Sequence, residues 1–168
     1  MIKKIIPNVI TSLRIIGAVL LFFVEPLGVP FYIIYSFCGL TDAVDGFVAR
    51  KLNVATEFGA KLDSVSDLLF YIVMIVRLLP VLMKVLPGWI WYFALLVVII
   101  RITSYVVSAV KYKKFASIHT FLNKATGFLV FIVPYLIFTP IFFAYSVFVC
   151  AVGLIASAQE LLFHIKTQ

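Results

Sequence analysis

The residues of this chain that can do chemistry are concentrated between Asp42 and Asp67, where four of its seven acidic residues fall. They read Asp42-x2-Asp45-Gly46-x2-Ala49-Arg50-x8-Gly59-x3-Asp63-x3-Asp67, inside otherwise apolar segments. A carboxylate carried into a bilayer costs roughly 2.5 to 3.5 kcal/mol on insertion scales, so four together require cations, water or both. Hard oxygen donors of this kind suit Mg2+, Mn2+ or Ca2+ and not zinc, which prefers His or Cys. Two such ions sharing bridging carboxylates are a means of stabilising both the attacking and leaving oxygens of a phosphoryl transfer. Gly46, Ala49 and Gly59 leave space for a nucleotide or pyrophosphate close to the backbone, and Arg50 can hold a phosphate oxygen.

The elements that must position these groups follow from the spacing. On a helix turning roughly 100° per residue, Asp42, Asp45, Gly46, Ala49 and Arg50 share an arc of about 140°. Gly59, Asp63 and Asp67, each four apart, share an arc of about 80° on the next helix. A short turn around 52–56 makes the two helices antiparallel neighbours. At the helical rise, Asp45 and Asp63 lie roughly 10 Å from that turn and Asp42 and Asp67 roughly 15 Å, giving two rungs of carboxylates. Small residues also serve helix packing, and membrane aspartates also line proton or cation pathways. Eight identities at fixed spacing, with every acid on a facing side, fit a nucleotide and metal site better than either. A cation or proton pathway protein is the alternative class.

Composition sets the environment. Of 168 residues, 64% are hydrophobic and 12% charged, too apolar for a soluble domain of this size. The expected fold is all-α, a six-transmembrane-helix bundle with a polar active-site cavity facing the cytoplasm. Spans fall at about 9–24, 29–51, 58–83, 88–110, 125–138 and 141–163, in one domain covering 1–168. Lys3 and Lys4 precede an apolar run, but Val24-Glu25-Pro26-Leu27 offers no small-x-small cleavage site, so the run reads as a retained first helix. Lys3, Lys4, Arg50, Lys51, Lys61, Lys111, Lys113, Lys114, Lys124 and Lys166 fall on one side of this topology. The positive-inside rule places both termini and the Asp-rich hairpin in the cytoplasm. The net charge of +7 therefore needs no nucleic-acid partner. Cys38 and Cys150 read as reduced packing residues, and Pro134 as a kink or early end to the fifth span. Thr11 and Arg14 share a face of the first helix, where Arg14 either snorkels to the interface or serves the polar site. Arg77 and Lys84 read as snorkelling outward and His119 as a solvated loop residue.

The acidic pattern resembles the CDP-alcohol phosphotransferase signature, D-x2-D-G-x2-A-R-x8-G-x3-D-x3-D, at every defining position. Pro7-Asn8, Thr11, Arg14 and the six-span layout are similar to that family as well. The resemblance implies an integral membrane enzyme of phospholipid synthesis, in the plasma membrane if the source is bacterial. It would cleave the pyrophosphate of a CDP-linked alcohol, release CMP and join the phosphoryl group to a second alcohol. It also implies Mg2+ or Mn2+, in a two-metal site held by Asp42, Asp45, Asp63 and Asp67. Asp67 would also be the general base, and Gly46, Ala49, Arg50 and Gly59 would line the CDP site. A homodimer is a further implication.

The acceptor is less sharply specified. Arg101, inside the fourth span, and Lys124 are cations suited to an anionic acceptor, which tilts the reading slightly to glycerol 3-phosphate. Members that make phosphatidylglycerophosphate commonly read Leu-Asp-Pro-x-Ala-Asp-Lys, whereas this chain has Leu62-Asp63-Ser64-Val65-Ser66-Asp67-Leu68. That departure leans towards serine, inositol phosphate or another alcohol. CDP-diacylglycerol is the expected donor, with a small CDP-alcohol as the alternative.

Overall fold

A computed structural model describes the backbone of residues 2–51, 57–112 and 121–166, with side chains for 8–42, 59, 61–111 and 121–165. Among the described residues the chain is all helix, with no strand. In order come α1 (Ile2–Phe23), α2 (Val29–Lys51), α3 (Glu57–Val85), α4 (Gly88–Tyr112), α5 (Phe121–Leu136) and α6 (Phe142–Lys166). The boundaries follow local chemistry. After α1 the chain turns at Glu25–Gly28, where Leu27 takes a φ of 62° and the Gly28 amide donates to the Glu25 carbonyl. Pro30 stands in the first turn of α2, where a missing N–H costs nothing. Helix α5 runs from four residues before its expected start to Leu136, so Pro134 sits in its last turn rather than kinking its middle.

Stretches 61–85, 88–111 and 142–165 are long and apolar enough to cross a membrane, while 8–23 and 121–136 form shorter apolar helices. Large apolar side chains point outward along these helices, among them Ile33, Leu40, Leu68, Ile75, Tyr92, Phe128 and Ile155. Such continuous apolar surface is tolerated in lipid and not in water. The chain is an integral membrane protein.

Two compact units divide it, residues 1–81 and 82–168. In the first, α1 packs on α2 around Ala18, Leu21, Phe31 and Cys38. The approach is close: a Cβ on Gly17 would stand 2.7 Å from the Cys38 sulfur, so only glycine fits there without movement. Tyr35 of α2 stacks on Phe70 of α3, their ring centroids 5.6 Å apart. Arg77, expected to snorkel outward, has a partner within the protein. It is half-buried and donates to the Val24 carbonyl just beyond α1, because a helix C-terminus offers unpaired carbonyls that a cation satisfies. Lys84 is exposed in the last turn of α3.

In the second unit α4 and α5 both pack on α6. Ser104, Ser108, Gly153, Ala156 and Ser157 are buried, small residues of the kind that let membrane helices approach closely. Lys111 donates to the carbonyls of His164 and Ile165 at 3.1 and 3.0 Å, tying the end of α4 to the end of α6.

Candidate active site

Three of the four aspartates meet at one point. Asp63 and Asp67 stand one turn apart on α3, hence on one face, and Asp42 reaches them from α2. One carboxylate oxygen from each lies within 4.8 Å of the others. Side chains of Asp45, Gly46, Ala49 and Arg50 lie outside the described residues, although their backbone continues α2. Gly59 lies in the first turn of α3, four residues before Asp63, and is partly exposed.

A cation from α1 holds this cluster. Arg14 Nη1 donates to Asp42 Oδ1 and to Asp67 Oδ1, each at 2.5 Å, and Nη2 donates to Asp63 Oδ1 at 2.6 Å. Arg14 is 1% exposed. The snorkelling alternative for Arg14 is therefore corrected. A guanidinium that finds three carboxylates at its own depth recovers its desolvation cost without stretching to the interface. The carboxylates themselves remain 42–56% exposed, so the cluster has a buried cationic floor and an accessible acidic front. Among the described residues, one guanidinium against three carboxylates leaves a formal charge of −2, which one divalent cation would neutralise. Hard oxygens at this spacing, accessible from one side, fit Mg2+ or Mn2+.

A second polar cluster lies within the other unit. Arg101 of α4 donates through Nη2 to Asn123 Oδ1 of α5 at 2.9 Å, and Asn123 Nδ2 donates to Glu160 Oε2 of α6, also at 2.9 Å. Glu160 is fully buried, and His164 Nε2 stands 4.0 Å from its other oxygen. Arg101, expected to serve an acceptor, is thus engaged in a three-helix chain of polar groups. Lys124 is exposed on α5, and His119 lies outside the described residues.

Sequence reasoning left the place of Arg14 open and missed Glu160 and His164. The signal for each was present in helical spacing. Arg14 continues the stripe of Thr11, Gly17, Ala18 and Leu21, all buried, and Glu160 and His164 continue that of Gly153, Ala156 and Ser157.

An all-helical membrane chain with a half-exposed carboxylate cluster on two adjacent helices defines a polytopic membrane protein with an acidic site. The family model described as CDP-alcohol phosphatidyltransferase matches residues 4–158, and the chain belongs to that family. It is 48% identical over 63 residues to a CDP-diacylglycerol–inositol 3-phosphatidyltransferase of Candida albicans, covering 37% of this chain and 27% of that protein. It is 40% identical over 78 residues to a CDP-diacylglycerol–glycerol-3-phosphate 3-phosphatidyltransferase of Pseudomonas fluorescens, covering 44% of this chain and 40% of that protein. A protein of the same name from Escherichia coli is 42% identical over 67 residues, 37% of each chain. The matched stretches span well under half of these relatives. No solved structure matches significantly.

Proposed function

We propose that this protein transfers a phosphatidyl group from CDP-diacylglycerol to a small polar alcohol, releasing CMP. The observation that carries the reading is the convergence of Asp42, Asp63 and Asp67 on one point, in a chain of this family. Relatives named for inositol and for glycerol 3-phosphate both match. The slight tilt of the sequence to glycerol 3-phosphate keeps Lys124, which is exposed on α5, but loses Arg101, which Asn123 engages. Serine, inositol phosphate or another alcohol, and a small CDP-alcohol donor, are the alternatives.

Asp42, Asp45, Asp63 and Asp67 would hold Mg2+ or Mn2+, as one ion or a pair. Bound there, the metal supplies positive charge to the pyrophosphate and its developing oxyanion. Gly46, Ala49 and Gly59 keep side chains away from the nucleotide, and Arg50 pairs with a phosphate oxygen. In the reaction the acceptor hydroxyl oxygen attacks the phosphorus that carries the diacylglycerol. The bond from that phosphorus to the bridging oxygen breaks, and CMP leaves with the electron pair. Asp67 takes the hydroxyl proton, a role open to a carboxylate within hydrogen-bond reach of the acceptor. A site among membrane helices lets the acyl chains stay in lipid while nucleotide and acceptor enter from water.

Residues 1–168 act in this reading as one domain of six spans, with both termini and the site cytoplasmic by the distribution of Lys and Arg, and with homodimers as the working state. Purified protein given CDP-diacylglycerol, Mg2+ or Mn2+ and a panel of acceptors should release CMP with one of them. No CMP release with any acceptor, together with cation flux in proteoliposomes free of nucleotide, would replace the transferase by the ion-pathway reading.

A further inference from the structure

We propose that Arg14 is a tethered counter-cation which competes with the divalent ion for the carboxylate cluster, so that its guanidinium sets how tightly the site loads metal. The proposal rests on the reading of Asp42, Asp63 and Asp67 as metal ligands, and deepens it.

The geometry makes the two cations rivals. Nη1 of Arg14 is shared between Oδ1 of Asp42 and Oδ1 of Asp67 at 2.5 Å, and Nη2 takes Oδ1 of Asp63 at 2.6 Å. One fork therefore engages an oxygen from each of the three acids that could hold an ion. A Mg2+-type ion requires its oxygens at roughly 2.0–2.1 Å in near-octahedral array. An ion taking these same oxygens would stand almost against the guanidinium nitrogens. Arginine cannot relieve that repulsion by giving up a proton. Loading through these Oδ1 atoms therefore obliges the guanidinium to withdraw, or the carboxylates to turn their Oδ2 atoms to the ion.

The placement of Arg14 explains why such a rival is built in. It comes from α1, outside the α2–α3 pair that carries the acids, and it is buried while the acids are half-exposed. Three carboxylates this close repel one another, and a cation from behind holds them converged without blocking the open side. Arg14 is a positioning residue in this account. It touches the carboxylates, and they touch the ion.

The test is Mn2+ binding by the full-length protein in nanodiscs, without nucleotide, read from the electron paramagnetic resonance of free Mn2+. Arg14→Met should bind Mn2+ about tenfold or more tighter than the parent, because the ion no longer displaces charge-assisted hydrogen bonds. Without metal the same variant should unfold at lower temperature, and the difference should shrink as Mn2+ is added. Arg14→Lys keeps a charge but loses the fork, and should fall between the two. Affinity equal to or weaker than the parent in either variant would overturn the proposal, since the guanidinium would then not compete with the ion. If Arg14→Met does not fold, the Lys variant decides alone by the same criterion. Absence of Mn2+ binding by the parent and both variants would remove the metal reading itself. Binding by the parent with no gain in the variants removes only the role of Arg14.

Discussion

Asp63→Asn should leave the stability of the metal-free protein nearly unchanged while disabling its site. The three ligand oxygens lie within 4.8 Å of one another, so at an effective dielectric of about 20 each pair of carboxylates repels by about 3.5 kcal/mol or more. Asp63 takes part in two such pairs, roughly 7 kcal/mol in all, against one attraction to Arg14 at 2.6 Å worth about 6 kcal/mol on the same scale. The side chains are 42–56% exposed, and screening by water reduces the difference of about 1 kcal/mol to a few tenths. Asparagine keeps the shape and an oxygen that accepts from Arg14 Nη2. Its melting temperature with chelator should therefore lie within about 2 °C of the parent. Saturating Mn2+ should separate the two. An ion at 100 times its dissociation constant stabilises the parent by about 2.7 kcal/mol, and the variant, short of a ligand, gains less. Thermal unfolding in detergent with chelator and with Mn2+ measures both. A variant that is less stable than the parent with chelator and indifferent to Mn2+ would show a structural ion-pair cluster, and would refute the reasoning.

Asn123→Leu removes an acceptor from Arg101 and a donor to the buried Glu160, and should cost about 2–4 kcal/mol of stability in steric-trapping or denaturant unfolding. Thr103→Ala is the control, since the exposed Thr103 hydroxyl donates to Ile99 of its own helix, and should change stability by at most about 0.5 kcal/mol. Gly17→Ala should cost about 1–3 kcal/mol by pressing a Cβ against the Cys38 sulfur, and Cys38→Ala should relieve most of it in the double variant. Strict additivity of those two changes would contradict the close contact.

Much of the fold was legible because membrane helices are written in long apolar runs, and Pro and Gly mark their ends. Boundaries moved where those signals compete. Helix α1 runs back to Ile2 through the polar Lys3 and Lys4, and α5 begins at Phe121, before Lys124. The candidate site was legible as a spacing: Asp63 and Asp67 one turn apart, with Asp42 on the partner helix. The expected rungs paired Asp42 with Asp67 and Asp45 with Asp63. Asp63 in fact joins Asp42 and Asp67 around a single guanidinium, because two carboxylates four residues apart both reach one cation. What spacing alone did not give was the partner of Arg14, since pairing across α1 and α3 is a tertiary fact. The engagement of Arg101 was hidden for the same reason: its partners Asn123 and Glu160 come from two other helices.

The central claim is that two neighbouring helices aim their carboxylates at a shared divalent ion. Crystals of the protein grown with Mn2+ and measured for anomalous scattering test it most directly. The account predicts a peak with oxygens of Asp42, Asp63 and Asp67 at roughly 2.0–2.6 Å. A well-ordered structure in which Mn2+ binds elsewhere, while all three aspartates stay on Arg14, would contradict it.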